Sequence, residues 1–225
     1  MKKITLFFLL YATTFLSQNA TKKEASIWLD SIVGQHNLPI NNGVIYIEQY
    51  RTLKGNHHFL IDNNFHNGDI VYDEQTYYNV PIKYDVFEDN IIVKIPSVNE
   101  NYPLLLEKEK ISQFYLNGNH FMKLNDFGFS RKLLLKDDFI LYKKYYKERI
   151  SKTSTKFSYN KFKPDNKYFI YHNGAYTIIK NKKYWMQLFP NKKDIIRSYY
   201  KVNSKKIENT PDVFMIELLK KCINK

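Results

Sequence analysis

The chain has 225 residues, a formal net charge of +13, 44% hydrophobic and 16% aromatic content, and one cysteine. That hydrophobic share excludes a disordered chain, and the length is enough for one or two domains with a packed core. The lone thiol, Cys222, excludes an intramolecular disulfide scaffold and a cysteine-built zinc cluster.

Residues 1–19 read as a cleavable secretory signal peptide. Lys2 and Lys3 make a positive start, Ile4 to Ala12 an apolar run, and Thr13 to Ala20 a polar stretch of smaller residues. The preferred cleavage point follows Ser17, with Ala20 second. The apolar run is shorter than the roughly 20 residues of a spanning helix. No second run of spanning length follows, and no Cys lies near the cleavage region to carry a lipid. The expectation is an exported protein, periplasmic or at the cell surface, with no transmembrane segment in its mature part.

Lys22 to Val33 predicts a short amphipathic helix, with Ala25, Trp28, Leu29, Ile32 and Val33 at helical spacing and Gly34 as its stop. From Gly43 to about Tyr146 the period changes to two. Strands are predicted at Val44 to Tyr50, Asp69 to Tyr72, Thr76 to Val80, Ile82 to Phe87, Ile91 to Ile95, Tyr102 to Leu106, Ile111 to Leu116, His120 to Leu124, Ser130 to Leu135 and Phe139 to Tyr146. Residues 147–165 are polar, rich in Ser, Thr and Lys, and predict a loop. Two more strands, Lys167 to His172 and Ala175 to Lys180, turn over Asn173-Gly174. Lys182 to Phe189 and Asn191 to Val202 predict helices, and Pro211 opens a last one with Phe214, Met215, Leu218, Leu219 and Cys222 as its buried stripe.

The fold class is therefore α+β and mainly β. It is an antiparallel β-meander, as a curved sheet or partial barrel, with a short N-terminal helix and two or three C-terminal helices. The divisions are a leader at 1–19, helix plus meander at 20–146, a polar loop at 147–165, and a basic hairpin plus helices at 166–225 packed on the same sheet.

Charge is uneven along the chain. Residues 1–130 carry 11 Lys and Arg against 14 Asp and Glu, whereas residues 131–225 carry 24 against 8. A half with that excess attracts polyanions. Only Arg131, Arg149 and Arg197 among those cations present the planar fork of a phosphate or base reader. With export expected as well, nucleic acid is not the expected partner.

No Gly-x-Ser-x-Gly elbow and no glycine-rich phosphate loop occurs. His57-His58 is the most suggestive pair, but neighbours on an extended chain point to opposite sides, and no metal-ligand spacing completes it. Asp73, Glu74, Asp85, Glu88 and Asp89 gather around turns. Tyr46, Tyr50, Tyr72, Tyr77, Tyr78 and Tyr84 lie in strands, where phenolic rings suit sheet packing or a ligand platform. The candidate binding residues are Arg51, His57, His58, Tyr72, Tyr84 and Asp85. No catalytic set, metal site or cofactor is expected.

The stretch Gly68 to Asp85, with Gly68, Ile70, Tyr72, Asp73, Gln75, Tyr77, Val80, Tyr84 and Asp85 in step, is followed by Ile111, Phe114 and Phe121. It resembles a phrase shared by uncharacterised exported β-rich proteins of the phylum Bacteroidota. Tyr168-Phe169, Lys182-Lys183, Leu188-Phe189-Pro190, Lys192-Lys193 and Ile195 resemble the C-terminal end of the same group. The resemblance implies an envelope location and carries no assigned activity.

These readings converge on an exported, non-catalytic protein that binds an envelope protein or a small ligand. Two alternatives stand beside it: a periplasmic lipid or lipoprotein carrier with an apolar concave sheet, and a secreted hydrolase or toxin acting on a polyanion.

Overall fold

The computed structural model describes residues 23–28, 31–32, 34, 38–94, 102–124 and 126–224. The signal-peptide reading falls outside them. Among the described residues strand outweighs helix, 44% to 28%, so the fold is mainly β with a short N-terminal helix and C-terminal helices. It divides into two compact units. The first holds residues up to Glu48, Asn63–Tyr84 and Asn90–Gly118; the second holds Gln49–Asp62, Asp85–Asp89 and Asn119–Lys225.

In the first unit, residues 23–28 and 31–32 form α1, on which Trp28 and Ile32 are exposed. The strands are β1 (Val44–Ile45), β2 (His66–Tyr72), β3 (Gln75–Asp85), β4 (Asn90–Lys94), β5 (Pro103–Leu105) and β6 (Ile111–Leu116), ordered β1-β5-β4-β3-β2-β6. The strand expected at Val44 to Tyr50 stops after Ile45, because its partner β5 is only three residues long and the Tyr46 N–H already reaches its first residue, donating to Pro103 O at 2.8 Å. The two strands expected either side of Pro81 are one strand, β3, carrying a bulge. The register slips between Gly68 and Ile70, and Asn79 takes φ 55° with its N–H donated to Asp69 Oδ1 at 2.8 Å. Ile70, Tyr72, Tyr77, Ile82, Tyr84, Ile91, Ile111 and Phe114 fill this unit's core.

The second unit holds β7 (Asn119–Leu124), β8 (Gly128–Lys136), β9 (Phe139–Lys144), β12 (Lys167–His172) and β13 (Ala175–Ile179), antiparallel neighbours in that order. Neither unit's strand order returns on itself, so the antiparallel meander is not closed, as expected. The β12–β13 turn has Asn173 at φ 49° and Gly174 at φ 78°, the left-handed pair a two-residue hairpin requires. Four helices follow: α2 (Lys182–Leu188), α3 (Lys193–Val202), α4 (Ser204–Asn209) and α5 (Pro211–Ile223). They number one more than the most expected, because the Asn203 region breaks α3 from a short α4.

Alternation along β12 sorts its two faces. Tyr168 and Ile170 pack with Leu141, Ile179, Trp185, Ile196, Phe214, Leu218 and Cys222 beneath the helices, while Phe169 packs with Leu124 and Tyr142 on the other side. Burial pushes the Cys222 thiol up to about 11, so it is an inert core group.

Residues 147–165 are not a loop. Lys147–Thr153 (β10) and Ser158–Pro164 (β11) pair antiparallel as a separate two-stranded sheet, from Lys147↔Pro164 to Thr153↔Ser158. The turn is pinned by Ser154, whose N–H donates to Phe157 O at 2.9 Å and whose Oγ accepts the Phe157 N–H at 3.1 Å.

Candidate functional site

The polar side chains that converge in the second unit lie where segment 49–62 meets the β10–β11 hairpin and the 85–89 turn. Segment 49–62 has little regular structure, and its backbone is satisfied by borrowed partners. Thr52 bridges Asn160, whose N–H donates to Arg51 O at 2.8 Å. The Asn56 amide donates to Phe162 O at 2.9 Å and accepts the Phe162 N–H at 2.7 Å, so one side chain replaces a strand neighbour along β11. Phe59 bridges Asp85, and Val86 N–H donates to His58 O at 3.1 Å.

Strand alternation then decides which hairpin side chains turn inward. Lys147 and Arg149 on β10 share a face with Phe162 on β11. Phe162 is 3% exposed and meets Tyr50, Phe87 and His58 with ring centres 5.5, 5.3 and 5.1 Å away. The Arg149 guanidinium lies 5.3 Å from the Tyr50 ring centre and 5.4 Å from that of Phe87. Lys147 Nζ donates to His57 O at 2.9 Å and Phe59 O at 2.7 Å, and faces His57 Nδ1 at 3.3 Å. Those bonds fasten segment 49–62 to the base of the hairpin. Burial pushes the Lys147 ammonium down to about 8, against the opposing pull of the Asp85 charge.

Asp85 and His58 lie at the centre of the cluster. His58 Nε2 stands 3.5 Å from Asp85 Oδ2, and the residues are 1% and 2% exposed. Asp85 Oδ1 accepts N–H groups of Phe87 at 2.9 Å and Glu88 at 3.1 Å, which closes the turn after β3. Tyr50 donates its hydroxyl to the Glu88 carboxylate. Burial, then that bond and the Glu88 charge, push Tyr50 up to about 12 against the Arg149 charge. The pair has the chemical composition of an acid–base dyad, but it is sealed from solvent and its carboxylate is engaged by the turn.

Of the six residues singled out from sequence, four belong to this unit. His57, His58 and Asp85 come together, with His57 part-exposed and His58 buried, as opposite-pointing neighbours should be. Arg51 lies to the side, its guanidinium 4.0 Å from the Phe157 ring centre. Tyr72 and Tyr84 take no part. They are 0% and 1% exposed in the first unit's core, where Tyr84 meets Phe114 edge-on at 5.2 Å. Their reading as a binding platform is corrected, because rings on the inward side of β2 and β3 are used up by packing. Among the described residues, no group of three or more His, Cys, Asp or Glu is arranged to hold a metal ion.

Lys147, Phe162 and Asn56 hold the cluster together, and sequence reading passed over all three. The missed signal was period two: Tyr159, Lys161 and Lys163 alternate with Asn160, Phe162 and Pro164 on β11. The other face of the hairpin carries Glu148, Ile150, Lys152, Tyr159, Lys161 and Lys163. Its three lysines are exposed, while Ile150 and Tyr159 are half-buried.

No family model matches the chain, and no curated protein or solved structure matches it.

Proposed function

We propose that this chain is an exported envelope protein that binds a partner rather than transforms a substrate. The observation that carries this reading is the burial of His58 and Asp85. At 1% and 2% exposure they are out of reach of any substrate, and Asp85 already accepts two backbone N–H groups. The same observation weighs against the hydrolase alternative, whose acid–base groups need an open cleft. The carrier alternative needs an apolar concavity, and Trp185, Phe189, Ile196, Phe214, Met215 and Leu218 fill the helix-covered face of the second unit. Export rests on the leader at residues 1–19, and a periplasmic or surface location on the Bacteroidota resemblance.

The test has two arms. Fractionation with N-terminal sequencing of the exported protein is expected to give a new start at Gln18 or Thr21. His58→Ala is expected to lower the melting temperature while binding to an envelope extract survives below that temperature. A hydrolytic activity of the wild type that His58→Ala abolishes in folded protein would overturn the reading.

A further inference from the structure

Six cations, Lys147, Arg149, Lys152, Lys156, Lys161 and Lys163, stand against one acid, Glu148, in the hairpin 147–164. That ratio is twice the one for the whole basic half, where cations outnumber acids 24 to 8. The fold then sorts them. Lys147 is drawn inward onto the His57 and Phe59 carbonyls, while Arg149, itself exposed, lies over the Tyr50 and Phe87 rings on the hairpin's other face. Lys152, Lys161 and Lys163 are left exposed on one outer face, with Lys156 exposed at the turn. Glu148 lies directly opposite Lys163 and offsets it in part. Lys161 faces Ile150, and Lys152 faces Tyr159, so neither has an acid opposite. Like charges placed diagonally across a strand pair repel, and an anion lying along the ribbon relieves that repulsion.

We propose that this outer face docks an anionic polysaccharide, one carrying carboxylate or sulfate groups. The inference rests on the binding-protein reading and names its surface and partner class. The lysines are spread along a two-stranded ribbon at about 7 Å for every second residue. A small anion therefore meets one of them and an extended polymer meets all. Tyr159 and Ile150 lie between the lysines and offer half-buried apolar surface to the faces of sugar rings. Nucleic acid is the poorer fit, because the hairpin's one arginine, Arg149, is turned onto Tyr50 and Phe87. A lipid surface is the poorer fit too, because Phe157 at the turn lies under Arg51 instead of standing free to insert.

The experiment uses the full chain on immobilised polygalacturonate, dextran sulfate and unmodified dextran, with double-stranded DNA and phosphatidylglycerol vesicles in parallel. The variant is Lys152→Gln/Lys161→Gln/Lys163→Gln. Its control, Lys182→Gln/Lys193→Gln/Lys201→Gln, removes the same charge from exposed helix positions. The wild type is expected to bind at least one anionic polysaccharide, release it with salt, and ignore unmodified dextran. The hairpin variant is expected to keep its melting temperature and bind about tenfold more weakly, since each exposed charge contributes modestly. The control is expected to bind as the wild type does. Equal losses in both variants, or tighter binding of DNA or vesicles through the same three lysines, overturn the proposal. Retention of envelope components by a hairpin variant that no longer binds polysaccharide leaves the binding-protein reading standing. A wild type that captures neither overturns both.

Discussion

Phe162 and Tyr159 lie three residues apart on β11 and point to opposite faces. Phe162 is wedged among Tyr50, His58 and Phe87, and its truncation removes a fully buried ring that its neighbours cannot collapse to replace. Phe162→Ala is expected to cost about 3–5 kcal/mol in urea unfolding, whereas Tyr159→Ala on the outer face is expected to stay within about 0.5 kcal/mol. Comparable losses at the two positions would refute the assignment of faces. Removing one member of the buried His58–Asp85 pair strands the other, and Asp85→Ala also strips the Phe87 and Glu88 N–H groups of their acceptor. Both histidines and Asp85 were legible as chemistry-bearing residues. Their burial was not, because a His-His pair beside a polar stretch reads the same whether it lines a cleft or closes one.

Among the elements, the turns separate residues that suit their backbone from residues that strain it. Asn173-Gly174 occupies a left-handed pair at little cost. The β2–β3 turn demands the same conformation of Asp73 at φ 50° and Glu74 at φ 65°, and Glu74 carries a Cβ where glycine is favoured. Glu74→Gly is expected to stabilise the protein by roughly 0.5–1 kcal/mol in chemical denaturation, the relief of strain exceeding the extra unfolded-state entropy. No gain would show that the strain is already offset. Gly128 is the converse case. At φ 62° it sits against the Asp89–Lys144 ion pair, where a Cβ would overlap the carboxylate, so the pair's position depends on the missing side chain. Strand positions were largely legible from alternation, α2 and α3 were placed as helices, and α5 was legible from Pro211 and its buried stripe. The β10–β11 hairpin was missed because its alternation is written in Lys, Ser and Asn rather than in apolar residues. Only Phe162 marks its inner face by hydrophobicity.

For the molecule as a whole, the shifted groups set opposite slopes of stability with pH. Lys147 is held near 8 in the fold against 10.5 for an ordinary lysine. Between those values the unfolded chain binds more protons, so Lys147 adds stability as pH rises through that window. Tyr50 and Tyr200 are held near 12, and Tyr168 and Tyr199 are raised further, in each case first by burial. Their contribution is complete below the ordinary tyrosine value of 10 and is lost as pH climbs through the folded values. Urea unfolding from pH 7 to 11 is expected to show the wild type gaining on Lys147→Met between about pH 8 and 10. Above pH 10 stability is expected to fall as late-ionising tyrosines appear at 295 nm. A wild-type-to-variant difference that stays flat between pH 8 and 10 would remove Lys147 from this role.

By itself the sequence determined the mainly β class, the positions of most strands, the last helix's buried stripe and the asymmetry of charge. Those properties follow from local periodicity and composition, which neighbouring residues express without help from distant ones. Only the tertiary structure decided which polar residues are interior. Segment 49–62, the 85–89 turn and a hairpin nearly a hundred residues later must meet before Lys147 finds its carbonyls, Asn56 finds Phe162, and His58 closes over Asp85. The same meeting leaves Lys152, Lys161 and Lys163 on the outer face, because a strand has two faces and packing claims one of them.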